Sequence, residues 1–186
     1  DPHPGNYLFH SDGRVTFLDF GLVKYFTAAE LDEFGEMIQH MVIDHDAVAF
    51  RSTVERLGLL PAGLDVTDAD VIDYLGHFYE FVAVEGDFTI TPDYASETVR
   101  RFFDTSGPYA VMQKAANLPG SFVIIQRISL GLYAILGELH ATGDWRKIAE
   151  ELWPFVDGPP STPMALEIDA WRRLRHPDAK GAMLSR

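Results

Sequence analysis

The sequence predicts an α+β fold that is mostly helical, with a short β-hairpin followed by a helical bundle. Two strand-like runs near the start flank Ser11-Asp12-Gly13, a strong turn signal. From residue 27 onward, the apolar residues recur with the period of an α-helix. The 186 residues are 47% apolar and 12% aromatic, which is enough to bury the core of one domain.

The hairpin is predicted over residues 6–19. Its strands are Asn6 to His10 and Arg14 to Asp19, and Phe20-Gly21 ends the second strand. Gly13 supplies a turn residue that adopts positive φ at little steric cost.

The helical part is marked by caps and breakers. Helices are predicted to begin after caps at Thr27, Asp46, Thr67, Thr91, Pro119 and Asp144. The third is expected to continue along an apolar stripe to Val82, and the last to reach Trp153. The organisation is then a loop, hairpin and Asp-Phe-Gly segment over 1–26, a helical body over 27–157 and a polar, basic tail over 158–186.

The most apolar helix, from Ser121 to about His140, is expected to be a buried amphipathic helix. Gln126 and Arg127 lie near its middle, and an arginine at the centre of a bilayer is costly. The sequence therefore predicts a cytoplasmic protein, with peripheral association with a membrane left open.

Charge and composition exclude several classes of function. The 28 acidic and 15 basic side chains give a net charge of −13, and so acidic a surface repels the phosphates of nucleic acids. We expect no nucleic-acid partner. The absence of cysteine excludes disulfides and thiolate metal sites, while a phosphate ligand bridged by a divalent cation stays compatible with the acidic charge.

The residues most informative about function lie within the first 21. Asp1 is followed five positions later by Asn6, and Asn6 is followed thirteen positions later by Asp19, which opens the triplet Asp19-Phe20-Gly21. The catalytic segment of kinases has the same order: an Asp, an Asn five residues later, a hairpin and then Asp-Phe-Gly. The predicted hairpin would bring Asn6 and Asp19 to the same edge.

Phosphoryl transfer explains why these residue types are needed. It asks a protein mainly for positioning and charge stabilisation. The Asp1 carboxylate would face the attacking hydroxyl and take or orient its proton. The amide oxygen of Asn6 and the carboxylate of Asp19 are hard oxygen ligands for Mg²⁺, which takes its remaining ligands from water and phosphate.

Asp1-Pro2-His3-Pro4-Gly5-Asn6 together with Leu18-Asp19-Phe20-Gly21 resembles the UbiB/AarF family of atypical protein-kinase-like proteins. The resemblance is tight over residues 1–26 and implies the C-lobe of a protein-kinase-like fold. It implies binding of ATP and Mg²⁺, and phosphotransferase or ATPase activity that supports isoprenoid quinone (ubiquinone) biosynthesis. The partners it implies are a nucleotide and, as an open alternative, a lipid or quinone precursor.

The resemblance also assigns roles by position. Asp1 resembles the catalytic aspartate, and Asn6 and Asp19 resemble the metal ligands, with Phe20 and Gly21 completing the set that binds the cofactor. His3 lies where protein kinases often place a lysine that contacts phosphate. Two roles stay open for His3: contact with phosphate or substrate, or a hydrogen bond from its ring to the backbone that stiffens the loop.

This sequence departs from the kinase pattern in several places. It has no Ala-Pro-Glu motif and no glycine-rich or alanine-rich nucleotide loop, and its four lysines all follow Asp19. A phosphate-anchoring lysine precedes the catalytic loop in these folds. We therefore expect the chain to be a C-lobe fragment whose other half lies upstream of Asp1, and to be inactive when isolated.

Two other interpretations remain open. A similar Asp-x-His-x-x-Asn loop occurs in aminoglycoside and choline phosphotransferases, so the protein could be a small-molecule kinase. It could also be a pseudokinase scaffold without catalysis, although Asp1, Asn6 and Asp19 are all present. The seven histidines lack the spacing of a zinc site, and we expect structural or surface roles for them.

Overall fold

The computed structural model of the protein describes residues 2–21, 23–153, 155–156 and 158–175. It confirms the predicted class, because a hairpin near the start is followed by a mostly helical body. Two small antiparallel sheets of two strands each account for the β structure of these residues.

The strands are β1 (Tyr7–Phe9), β2 (Val15–Phe17), β3 (Phe88–Thr89) and β4 (Thr142–Gly143). The α-helices are α1 (Ala28–Ile38), α2 (Ala47–Arg56), α3 (Asp68–Gly76), α4 (Glu80–Ala83), α5 (Pro92–Phe103), α6 (Ala110–Ala115), α7 (Gly120–Glu138), α8 (Trp145–Glu150) and α9 (Pro163–Arg175). Helical segments of other types are the 3₁₀ turns Pro4–Asn6 and His77–Tyr79 and the π-helix Gln39–Ile43, which continues α1.

The hairpin is confirmed, with shorter strands than predicted. β1 and β2 pair in the antiparallel sense with Tyr7 opposite Phe17 and Phe9 opposite Val15. Gly13 has φ +84° and donates its N–H to the carbonyl oxygen of His10 at 3.0 Å. Glycine adopts this backbone conformation without the steric cost that a β-carbon brings.

Most predicted helix starts are confirmed by side-chain caps. The side chains of Thr27, Asp46, Thr67, Thr91 and Asp144 each accept a hydrogen bond from a backbone N–H in the first turn of α1, α2, α3, α5 and α8. Thr27 with Glu30 and Thr67 with Asp70 form complete capping boxes. Pro119 precedes α7, but its side chain makes no capping hydrogen bond.

The third helix extends to Val82 as predicted, but a 3₁₀ turn breaks its α-helical pattern. The segment α3 ends at Gly76, and the 3₁₀ turn and then α4 follow. Gly76 lies at the junction, packed against the terminal methyl group of Met41, and glycine is a poor helix former. Two tyrosines from other helices bond the 3₁₀ turn. The hydroxyl of Tyr94 in α5 donates to the carbonyl oxygen of His77 at 2.7 Å, and the hydroxyl of Tyr133 in α7 donates to that of Phe78 at 3.1 Å.

The sequence also failed to predict α6 and the β3–β4 sheet, and α8 ends at Glu150 before the predicted Trp153. In the small sheet, Phe88 pairs with Gly143. Within the segment predicted as a tail, α9 runs over Pro163–Arg175. The side chain of Glu151 accepts hydrogen bonds from the residues that precede α9.

The core lies between the helices. Its largest cluster of buried residues comprises Met37, Phe50, Val54, Leu59, Leu60, Val71, Tyr74 and Met112. Two smaller clusters are centred on Val42, Val82 and Trp153, and on Ile90, Ala95 and Tyr133.

The long apolar helix α7 forms as predicted, but it is buried on one face only. Tyr133 and Gly137 are buried, while Val123, Ile128 and Leu132 are exposed. By length and composition alone, α7 is the helix among the described residues that could cross a membrane, and 11% of its most apolar window is buried. This criterion is weak, because core helices of soluble proteins also meet it.

Candidate functional site

The catalytic loop is held by its own hydrogen bonds. His3 is the N-cap of the 3₁₀ turn Pro4–Asn6, and its Nδ1 accepts a hydrogen bond from the Gly5 N–H at 3.1 Å. The Asn6 N–H donates to the carbonyl oxygen of His3 at 2.9 Å. The ring of His3 therefore contacts the backbone and stiffens the loop, which is one of the two roles that the sequence left open.

The hairpin brings the loop next to the Asp-Phe-Gly triplet. The N–H of Leu18 donates to the carbonyl oxygen of Asn6 at 2.9 Å, which extends the β1–β2 pairing by one position toward the open end. Asp19 follows directly. The structure thus places Asn6 and Asp19 at the same end of the hairpin, although thirteen positions separate them in the sequence.

The triplet forms a tight local turn. Asp19 Oδ1 accepts a hydrogen bond from the Gly21 N–H at 2.7 Å. A β-carbon at position 21 would approach Asp19 Oδ1 to 3.0 Å, so glycine leaves room for the carboxylate. The side chain of Phe20 between them is 73% exposed.

The chain after the triplet is fixed to the helical body. Lys24 pairs with Glu30 of α1 at 3.0 Å and lies 5.2 Å from the centre of the Phe26 ring. The Phe26 ring contacts Phe34 of α1, and Phe34 contacts Phe122 of α7, each edge to face. Hydrogen bonds from the Thr27 N–H and from Lys24 hold the pKa of Glu30 below its usual value.

A cavity of about 530 Å³ lies beside the contact between the predicted catalytic loop and α7 and is lined by both. Its lining residues are Pro2, His3, Pro4 and Phe9 on the loop and hairpin side, and Arg127, Gly131, Ala134, Ile135, Glu138 and Leu139 on the helix side. The lining is largely apolar, with one histidine, one arginine and one glutamate. The predicted site therefore borders a concave, mostly apolar cavity.

Of the predicted site residues, His3 and Asn6 lie before β1, and Asp19, Phe20 and Gly21 follow β2 at the same end of the hairpin. Asn6 is half-buried and the other four are exposed. The predicted catalytic residue Asp1 lies outside the described residues. Within the described part of the chain, no group of three or more His, Asp or Glu residues could hold a metal ion. A site built from Asn6 and Asp19 does not need such a group, since Mg²⁺ usually takes only one or two protein ligands.

Sequence reasoning missed the α7 side of the site. Gly131 and Glu138 carry no motif and lie far from the catalytic loop in the sequence. The one local signal is Gly131 itself, because an isolated glycine within an apolar helix often marks a place where another segment packs closely.

Comparison with known proteins finds similarity over the N-terminal part of the chain. Residues 1–54 match the family model of the ABC1 atypical kinase-like domain. A stretch of 61 residues is 43% identical to an uncharacterized chloroplastic aarF domain-containing protein kinase of Arabidopsis thaliana. That stretch makes up 33% of this chain and only 9% of the Arabidopsis protein. The matched residues hold the predicted catalytic loop, the hairpin and the Asp-Phe-Gly triplet, and over them the chain is similar to ABC1 atypical kinase-like proteins.

Proposed function

We propose that this segment is the metal- and phosphate-binding end of an ATP- and Mg²⁺-dependent kinase-like phosphotransferase or ATPase. One observation carries the proposal: the 2.9 Å hydrogen bond from the Leu18 N–H to the Asn6 carbonyl oxygen. It aligns the two strands so that Asn6 lies opposite Leu18, and Asp19 comes next on the second strand. The residue with the amide and the residue with the carboxylate therefore lie at the same open end of the hairpin.

The donor set fits Mg²⁺. Asn6 offers an amide oxygen and Asp19 a carboxylate, and both are hard ligands that this ion prefers. Asp19 Oδ1 already accepts the Gly21 N–H, but a carboxylate has about four lone-pair sites, so it retains capacity for a metal. Bound there, Mg²⁺ would neutralise the charge of the ATP phosphates.

His3 can serve both roles that the sequence left open. Because Nδ1 accepts the Gly5 N–H, this nitrogen carries no proton. The neutral ring then carries its proton on Nε2, which is a hydrogen-bond donor. We propose that Nε2 donates to a phosphate or substrate oxygen while Nδ1 holds the loop.

For Asp1, which lies outside the described residues, we propose the role of orienting or deprotonating the attacking hydroxyl. A role in isoprenoid quinone biosynthesis is a proposal supported by the resemblance to the UbiB/AarF family alone. The mostly apolar cavity beside His3 is compatible with an apolar acceptor. Peripheral association of an otherwise cytoplasmic protein with a membrane stays a prediction.

The metal assignment can be tested with Mn²⁺ as a paramagnetic substitute for Mg²⁺. We expect substoichiometric Mn²⁺, added with ATP to the ¹⁵N-labelled chain, to broaden the amide signals of Asn6, Tyr7 and residues 18–21 before those of α2. Asp19→Asn should abolish this selective broadening, because the amide is a much weaker ligand for a hard cation.

The matched control is Asp12→Asn on the same hairpin. Asp12 is also exposed, and its carboxylate also accepts a backbone N–H two residues ahead, from Arg14 at 3.2 Å. A chain with net charge −13 attracts cations non-specifically, and this control measures that attraction. Broadening that survives Asp19→Asn would overturn the proposal. Equal loss in Asp12→Asn would also overturn it if the Leu18 N–H still exchanges slowly, because the hairpin is then intact.

A further inference from the structure

The catalytic loop touches α7 at a glycine. A β-carbon built on Gly131 would lie closer to Pro2 Cγ than two non-bonded carbons can approach, and 3.1 Å from Pro2 Cβ. It would also lie 3.5 Å from the carbonyl oxygen of Pro2. Any other residue at position 131 must therefore displace Pro2, since the proline ring cannot swing away as a flexible side chain would.

A displacement of Pro2 would move the whole loop. Pro2 is bonded to His3, and His3 is tied to Gly5 and Asn6 by the hydrogen bonds of the 3₁₀ turn. Two prolines in five residues restrict the backbone further. The loop therefore moves as one unit rather than absorbing a push at Pro2.

The other face of α7 is fixed to the helical body. A β-carbon at Gly137 would lie 3.1 Å from the carbonyl oxygen of Thr91 and 3.4 Å from Ala95 Cβ at the start of α5. The buried Tyr133 donates its hydroxyl hydrogen to the carbonyl oxygen of Phe78. With α7 fixed on this side, a side chain at 131 would push the loop outward rather than push the helix back.

From these contacts, we infer that Gly131 is a positioning residue: the missing side chain sets how deeply Pro2, and with it His3 and Asn6, lies against α7. This inference rests on the proposed function, because it concerns the placement of the Asn6 metal ligand. It assigns a role to a residue more than a hundred positions away from the loop in the sequence.

The test compares Gly131→Ala with Gly137→Ala. Both put a methyl group into a close contact on the same helix, and alanine raises intrinsic helix propensity at both positions. We expect Gly131→Ala to shift the Gly5 amide resonance and to weaken Mn²⁺–ATP binding by about tenfold, as the loss of groups that orient a metal ligand does. Gly137→Ala should lower the melting temperature and leave both of these properties unchanged.

Rescue separates positioning from general damage. Pro2→Ala removes Cγ, the atom in closest conflict, and should restore the Gly5 resonance and most of the Mn²⁺–ATP affinity in the Gly131→Ala background. Non-additivity of this kind is the signature of two residues in direct contact. Failure of Pro2→Ala to rescue, or equal losses of affinity in Gly131→Ala and Gly137→Ala, would overturn the inference.

The two proposals fail in different ways. If the unsubstituted chain does not bind Mn²⁺ selectively at the hairpin, the proposed function fails. The Gly5 resonance then still decides whether Gly131 positions the loop, because that signal depends on no ligand. An unshifted Gly5 resonance in a folded Gly131→Ala chain would refute the inference by itself.

Discussion

The N–H of Leu18 and the carbonyl oxygen of Asn6 are joined by a 2.9 Å hydrogen bond one position beyond the Tyr7–Phe17 pair. The Tyr7 and Phe17 rings lie edge to face with their centres 5.4 Å apart, which stabilises the same end of the hairpin. A slip of one residue in this register would reverse the face to which every side chain of one strand points. The relative placement of Asn6 and Asp19 thus depends on the turn at the other end.

The first prediction concerns that turn. Gly13 has φ +84° with open space where a β-carbon would be, so Gly13→Ala introduces backbone strain of about 1–2 kcal/mol without a clash. We expect this strain to loosen the hairpin and to speed hydrogen exchange of the Leu18 N–H. The selective Mn²⁺ broadening at Asn6 and Asp19 should weaken in parallel.

Gly58 after α2 offers the matched control. It has φ +75° and likewise open space around its β-carbon position, so Gly58→Ala introduces similar strain far from the site in sequence. This variant should lower the melting temperature yet leave the Leu18 exchange rate unchanged. Equal acceleration of Leu18 exchange in both variants would contradict a specific role of the hairpin turn.

The part of the site that the sequence predicted depends on local signals. Gly13 between two β-rich runs indicates a hairpin, and the hairpin alone brings Asn6 to the start of Asp19-Phe20-Gly21. The caps at Thr27 and Thr67 are local as well, because each side chain bonds a backbone N–H three residues away. Each of these features is therefore determined by residues within a few positions of it.

What the sequence did not predict depends on contacts between distant segments. β3 and β4 have two residues each, too few for any periodicity, and they form where Phe88 meets Gly143. The 3₁₀ turn after Gly76 lies where hydroxyl groups from α5 and α7 bond its carbonyl oxygens. The contact between Gly131 and Pro2 is likewise tertiary, which is why α7 was missed as one wall of the site.

The second prediction concerns Arg51, which ties the 58–66 loop to α2. Its guanidinium donates to the carbonyl oxygens of Leu64 and Val66 at 2.9 and 2.6 Å, and it pairs with Glu55 and Asp68. Its side chain is 20% exposed. We expect Arg51→Met to lower the free energy of unfolding by about 2 kcal/mol in urea titrations, because carbonyl and carboxylate groups lose a charged donor.

Arg100 is the surface counterpart on α5. It pairs with Glu97 and Asp104, but its side chain is 54% exposed, and exposed ion pairs contribute little to stability. Arg100→Met should leave the urea midpoint within error of the unsubstituted chain. Should both variants lose the same stability, the bonds from Arg51 to the backbone would not be the cause.

The last prediction follows from the buried ring of His77, whose side chain is 8% exposed. Nδ1 lies 3.1 Å from Glu80 Oε2, and Nε2 lies 3.0 Å from the hydroxyl oxygen of Thr98. Burial lowers the pKa of His77 below its ordinary value of 6.5, and the positive charge of Arg101 acts in the same direction. The carboxylates of Glu80 and Glu97 oppose this shift without cancelling it.

Because the folded state binds a proton at His77 less readily than the unfolded state, stability must rise with pH through this group. Its contribution is fully present above pH 6.5 and is lost progressively as the pH falls below that value. We expect the melting temperature to fall between pH 7.5 and pH 5.5, and to fall less in His77→Gln. Carboxylates with lowered pKa, such as Glu36 and Glu97, lose their contribution only at more acidic pH, so this interval isolates histidine. His10→Gln on the exposed hairpin controls for the loss of an imidazole as such. An undiminished acid slope in His77→Gln would show that the buried ring is not its source.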